Sequence, residues 1–597
     1  MHTTKIFLMA ALALMTAACS NDDSDIQTPA EQPAKSEGIP FTATISMGES
    51  ASTRALTEDT ENKKIVATWA TGEKVALIYD AGGTPTQTDA EVTKQADGTA
   101  TITAILESGA TNGSDVTIIY PATAADGTTG KVLANLLTAQ DGTLATIAAN
   151  YDVRKGTGKL SINAGGATVN NGTAGTTVAL TNQNAIWKLT TPSAKDLYIT
   201  ADGVLIAEAT LGTAGTEFYV AVPAVSSKTV SVVATDGTSN CWSYSKGGVS
   251  LATGKYYQST PLMTTLDGDN TKDVYMMTGA GDIPDGKTVV LSDVTISGRI
   301  TCSGSANIIL MGTNSVTANT DRAAIRVGGT GTTLTIMGKG SLTAQGGPNG
   351  AGIGTDGADG TTLSGGNIVI NGGTVTATGG EYAAGIGTGI AKHIGKNTCG
   401  TITINGGMVY ATGGERAAGI GTGNAYSGNN ECGAITNTGG TVNATAGTNG
   451  AGIGTGRVNG GGANTCGAIT ITGGTVIATG DNGGAGIGTG NATSASGTTG
   501  SNTCGDISIA ADVTSVTATK GSGSPNSIGK GIISFIGGTV SQNCGTITFG
   551  TAQVFDGTAA TGTWTPNPMV ADTYGGLKLV ISTKTTTDDT WTLTPAP

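Results

Sequence analysis

The sequence is poor in most of what enzymes, membrane proteins and nucleic-acid binders are built from. Of 597 residues only 2 are histidine, 15 are proline and 8 are cysteine, while aromatics reach 4 % and charged residues 12 %. His2 falls in the leader described below, so His393 is the one histidine on which a Ser-His-Asp or Cys-His site could be built. Few prolines and no Gly-X-Y period exclude collagen. No segment reaches about 18 unbroken apolar residues, which excludes a membrane-spanning helix. No stretch after the leader shows a 3.6-residue apolar period. The net charge is −13, with 17 Lys/Arg against 27 Asp/Glu in residues 1–273 and 13 against 16 in 274–597. Neither half has a basic patch, so nucleic acid is excluded as a partner. There is no P-loop, and the Gly-x-Gly runs do not precede helices, so they are not dinucleotide fingerprints.

What is abundant is glycine, 97 residues, or about 16 % against a usual share of roughly 7 %. The excess is uneven, with 25 glycines in residues 1–273 and 72 in 274–597. Hydrophobic residues make up 38 %, and mean hydropathy is +0.04, which is enough to build cores and excludes a disordered acidic tail. A chain this long implies several domains.

Residues 1–18 read as a signal peptide, with Lys5 as the positive start and Ile6–Met15 as a ten-residue apolar run. Thr16-Ala17-Ala18-Cys19 resembles a bacterial lipobox, with Thr16 where Leu is usual, and the resemblance implies lipidation of Cys19. The acidic run Ser20–Asp25 resembles the surface-export signal of Bacteroidetes lipoproteins. Residues 19–38 are then a flexible tether, and the lipid anchors the chain in the cell outer membrane, facing outward.

From Ile39 short β runs alternate with Gly, Pro and Asp turns, as in Phe41–Ser46, Lys74–Tyr79, Val116–Tyr120, Ala185–Thr190, Phe218–Val222 and Thr229–Val233. This pattern predicts an all-β sandwich over residues 39–263. Ile39-Pro-Phe-Thr-Ala-Thr-Ile45, Thr53-Arg54-Ala55, Trp69-Ala-Thr-Gly-Glu-Lys-Val75, Tyr120-Pro121 and Gly254-Lys-Tyr-Tyr257 resemble, in this order, the fimbrillin-like (Mfa-like) family of Bacteroidetes surface lipoproteins. In pilus-forming relatives a protease cuts after an arginine at the place of Arg54, and a neighbouring subunit's strand replaces the one released. The more than 330 residues after Tyr257 suit a fimbrial tip or accessory subunit better than a repeating stalk. Asp267-Gly-Asp-Asn-Thr-Lys-Asp273 has some carboxylate spacing of a calcium loop but lacks its Gly and Glu, so residues 264–281 read as a linker.

Residues 282–550 align on themselves. The Ile of Gly-Ile-Gly recurs at 353, 386, 420, 453 and 487, with spacings of 33, 34, 33 and 34. Within each unit the period is two, broken by Gly-Gly, so three short strands with glycine corners form each coil of a parallel β-helix of about eight coils. Val375, Val409, Val442 and Val476 are predicted to stack inward, as are Ala377, Ala411, Ala444 and Ala478. Residues 551–597 are the expected C-terminal β cap. Cys399, Cys432, Cys466, Cys504 and Cys544 each open a strand as Cys-Gly and read as a column of buried thiols, not a metal site. The Gly-Gly-Thr-Val-Thr-Ala-Thr-Gly-Gly units resemble surface proteins that carry carbohydrate-binding β-helices. That resemblance implies a right-handed helix and a glycan ligand, which some relatives hold with Ca²⁺.

Catalytic residues and an obligate cofactor or metal are not expected, because no row of Asp lies on a strand face. Copies of the repeat vary at outward positions instead, and Glu381, Tyr382, Tyr410, Glu415, Arg416 and Tyr426 are the candidate ligand-binding residues. The reading is a non-enzymatic surface lipoprotein that adheres to glycans or a host surface, alone or with other fimbrial subunits. The alternatives are a β-helix polysaccharide lyase or hydrolase, a purely structural fimbrial component, and an ice binder using Thr-x-Thr ladders that Tyr410 and Ile477 interrupt.

Overall fold

The computed structural model describes residues 38–47, 56–61, 64–66, 69, 72–97, 99–125, 140–170, 177–237, 240–494, 496–535, 537–559, 562–564, 572–583 and 589–596. The leader, Cys19 and Arg54 lie outside the described residues. The chain is all-β, with a sandwich followed by a parallel β-helix and an antiparallel cap.

In the sandwich's first sheet the strands run in the order Thr177–Ala179, Ile39–Ser46, Ala100–Leu106, Thr84–Lys94, Lys74–Ala81, Asp115–Tyr120, Arg154–Asn163 and Thr181–Asn182. The second sheet is built on two long strands, Ala185–Ala201 and Val204–Val222, with Val225–Thr235 and Cys241–Leu251 beyond. Alternation drives both sheets. In Ile39–Ser46, Phe41, Ala43 and Ile45 point inward while their neighbours face out. Phe41, Ile45 and Leu77 of one sheet meet Leu189, Phe218 and Val232 of the other in one core. At about 25 cal/mol per Å² of buried apolar area, this shared core is the sandwich's main stabilising term.

The solenoid coils through five sheets rather than the three strands per coil expected. We number its faces one to five in the order a coil visits them. One coil runs Asn367–Ile370, Thr374–Thr378, Ile386–Gly387, Ala391–Lys392 and Lys396–Cys399. Faces three and four are two residues wide there, too short to leave an alternation signal. Ten parallel strands stack on face one, from Val274–Met276 to Ile547–Phe549, more than the eight anticipated. At about 4.8 Å per rung they span about 43 Å.

The coils widen along the axis. Cα partners on face one are 14 residues apart at Val274 and Thr288, then 19, 28 and 34, and finally 38 and 40. Faces four and five begin only at Ala358–Asp359 and Thr362–Ser364. The interior is a set of ladders. Val375, Val409, Val442 and Val476 are in register, as are the four alanines two residues on. Leu593 and Trp591 of the cap continue these two ladders opposite Val516 and Ala518. The second glycine of Gly-Ile-Gly is obligatory: Gly421 has φ +132, and a Cβ there would collide with the carbonyl of Gly454.

Two interior columns line face five. The five cysteines are in register and buried, as free thiols. The neighbouring Cys432 sulfur and burial together push the Cys399 thiol well above its usual range, so it stays uncharged. Two residues before each cysteine stands a side-chain amide, buried at Asn397, Asn430, Asn464 and Asn502 and half-buried at Gln542. Asn430 Nδ2 donates to the carbonyls of Gly423 and Asn424, and Asn464 Nδ2 to those of Gly456 and Arg457. These amides add a partner to the carbonyls of the corner between faces three and four, where the Asn424 and Arg457 carbonyls also accept the backbone amides of Ala391 and Ala425.

Residues 264–281 are not a free linker. Thr264–Thr265 pairs within the sandwich, Val274–Met276 is the first rung of face one, and Gly281–Ile283 is the first of face three. Tyr198, Val233 and Cys241 of the sandwich pack against Val290, Ile309, Met311 and Met337 of face one, with Leu266 and Val274 between them. Lys339 Nζ reaches the buried Glu208 carboxylate at 3.4 Å across this joint.

Candidate ligand-binding surface of the solenoid

Each coil turns from face two to face three through a tip, which runs from Gly-Gly to Ala-Gly-Ile-Gly at 346–354, 379–387 and 413–421. The residues at the tip apex change from coil to coil while the frame does not. Glu381 and Tyr382 occupy it in one coil, Glu415 and Arg416 in the next. The Arg416 guanidinium lies over the Tyr382 ring, 5.6 Å from its centre, and its Nη2 is 2.9 Å from Glu415 Oε1. Glu381 beside the Tyr382 hydroxyl pushes that hydroxyl's pKa up. Arg416 is held at φ +68, and the next tip places Asn449 at φ +71. Asn tolerates that left-handed conformation, whereas Arg adopts it only under constraint.

The tip leans over the following corner. The Asn424 amide donates to the Tyr382 carbonyl, and the Arg457 amide to the Arg416 carbonyl at 2.7 Å. Arg457 therefore belongs to this cluster, although sequence reasoning passed over it. Burial and the nearby positive charge of Arg416 both push its pKa down. The signal was present as a variable column four residues after the repeat isoleucine: Gly357, Ile390, Asn424, Arg457 and Asn491.

Glu381, Tyr382, Glu415 and Arg416 thus converge on adjacent rungs. Tyr410 does not join them. It points out of face two, 40 % exposed, in register with Thr376 and Asn443. Tyr426 points out of face four, 45 % exposed, in register with Asn459.

Several other charged groups of the solenoid are paired with one another. Asp356 Oδ2 is 2.9 Å from Arg299 and 3.6 Å from Arg326, and its Oδ1 accepts the Ala323 amide at 2.8 Å. A carboxylate so engaged ties three coils together and has little left to offer as a base. His393 Nδ1 lies 2.7 Å from Asp359 Oδ1 on an exposed turn, and no hydroxyl or thiol pairs with the ring among the described residues. Asp267 is paired with Lys272 and Asp273 with Lys287. Among the described residues no three His, Cys, Asp or Glu side chains are grouped to hold a metal ion.

The beta helix repeat family matches this chain five times, at residues 334–358, 368–390, 402–424, 438–457 and 469–491. No curated protein matches it. Two solved structures resemble part of it. A candidate cell adhesion protein from Bacteroides eggerthii is 12 % identical and covers 38 % of this chain and 87 % of its own length, with a TM-score of 0.23. Another, from Bacteroides fragilis, is 12 % identical and covers 39 % and 97 %, with a TM-score of 0.22.

Proposed function

We propose that this protein is a non-enzymatic surface lipoprotein, held in the outer membrane through Cys19, that adheres by binding glycans on the outside of its solenoid. The observation that carries this reading is the tip cluster. Tyr382, Arg416, Glu381 and Glu415 present an aromatic ring, a guanidinium and two carboxylates from adjacent rungs of a rigid frame. Rings stack on sugar faces, and charged groups make the stronger hydrogen bonds to hydroxyls. A preformed frame lowers the entropy lost on binding. Adhesion suits the site better than catalysis because Glu415 is ion-paired with Arg416 and Glu381 engages the Tyr382 hydroxyl, which leaves both carboxylates poor bases. A tip or accessory place in a fimbria is part of the proposal. Its support is that strand Asp589–Pro595 is already bonded on both edges, to Ser515–Thr519 and Leu577–Thr583.

The test is a glycan array probed with the chain from Ser20 onward, with and without Ca²⁺, alongside an assay for released sugar. Retention without release is the expected result, with Tyr382→Ala and Arg416→Gln each weakening a tip-bound glycan about tenfold. Release of sugar would favour the lyase or hydrolase, and silence across the array would sink the adhesion reading.

A further inference from the structure

Face two differs in chemistry from the tip. Its strands carry 23 outward positions from Thr295 to Thr519, of which 18 are Ser or Thr and none is charged. That is conspicuous in a chain of net charge −13. The eight strands pair without a register shift, so outward side chains form straight columns. Columns repeat about every 4.8 Å along the axis and lie about 6.6 Å apart across it. From Leu342 onward the inward residues between them are Leu342 and the valine and alanine ladders, which fix the platform from behind. The hydroxyls of Thr374, Thr376, Thr378, Thr412, Thr475 and Thr479 make no hydrogen bond to the protein among the described residues. Each is a donor and an acceptor left for a ligand. Met408 and Tyr410 share one strand and Ile477 lies two coils on, exposed by 45 %, 40 % and 38 %.

We propose that face two binds a linear, uncharged glycan lying along the solenoid axis, one pyranose ring on Tyr410 and successive hydroxyls on the threonine columns. This rests on the reading of the solenoid as glycan-binding and adds a second site to the tip. Charge selects the ligand, because a carboxylate or sulfate would lose water on this face and meet no cation at its outward strand positions. Threonine suits the task because its branched side chain is stiff and little rotamer freedom is lost on contact. A ladder with one interval matches a polymer with one interval, so binding strengthens as the chain spans more coils.

The experiment is affinity electrophoresis of the chain from Ser20 onward in gels containing xylan, glucomannan, hydroxyethyl cellulose or polygalacturonate, repeated with oligosaccharides of increasing length as competitors. Retardation by a neutral polymer and not by polygalacturonate is expected, with longer oligosaccharides competing better. Tyr410→Ala is expected to weaken retardation about tenfold and Thr412→Asp to abolish it, while Lys578→Gln, on the exposed cap, leaves it unchanged. Unaltered thermal unfolding of each variant confirms that the fold is kept. The inference is overturned if array-positive protein ignores every neutral polymer, if Arg416→Gln rather than Tyr410→Ala abolishes retardation, or if the face inhibits ice recrystallisation and binds no glycan. Silence on the array is separate, because it removes the adhesion reading itself.

Discussion

Glu58 shows how one residue's neighbours decide its chemistry. Its carboxylate accepts from the Tyr219 and Tyr256 hydroxyls, both at 2.6 Å, and from Lys188 Nζ at 2.9 Å. Burial alone would raise its pKa, but the three donors and the Lys188 charge outweigh it and bring the value from 4.5 to about 2. The folded value lies below the unfolded one, so the carboxylate stabilises the sandwich above pH 4.5, and this contribution is lost as pH falls towards 2. Glu58→Gln is therefore expected to cost about 2 kcal/mol at pH 7, with the gap to wild type closing between pH 4.5 and 2. Denaturant titrations at several pH values check this, and a gap that does not narrow refutes it. None of these partners is near Glu58 in sequence, so the clamp could not be read from it. The tip residues were legible, because variation against a fixed repeat marks them directly.

At the level of elements, the cap closes the solenoid with aromatic contacts. Phe555 and Trp564 rings are 4.8 Å apart, Trp564 and Trp591 5.6 Å, and Trp591 faces the end of the alanine ladder. Trp591→Ala is expected to cost about 3–5 kcal/mol and to expose a strand edge that recruits other chains. Lower thermal stability together with rising light scattering would show both effects, and a variant that stays monomeric at wild-type stability would refute the assignment. The repeat's long strands were legible because Val and Ala alternate with Thr. The two-residue strands of faces three and four were not, since two residues cannot display a period. The buried amide column could have been seen in the recurrent Asn-x-Cys-Gly.

At the level of the whole molecule, the sandwich and the solenoid share an apolar joint. Met337, Met311 and Ile309 look outward from face one, where a free-standing solenoid would carry polar residues, and are buried against Tyr198 and Val233. The two units are expected to unfold in one calorimetric transition. Met337→Asp places an unpaired charge in the joint and should split that transition in two. A single transition in this variant would mean that the joint does not couple them. A stiff joint holds the solenoid at a set angle to the sandwich, which serves a protein that presents a binding surface.

Glycine placement, the 33–34 residue period and the inward valine and alanine columns were all determined by the sequence, because each is local or repeats at a constant interval. The number of faces, the widening of the coils, the joint at residues 264–281 and the meeting of Arg416 with Tyr382 and with Arg457 were decided only by tertiary structure. Each depends on which distant residues the coil winding stacks together, and a single coil's sequence carries no record of its neighbours above and below.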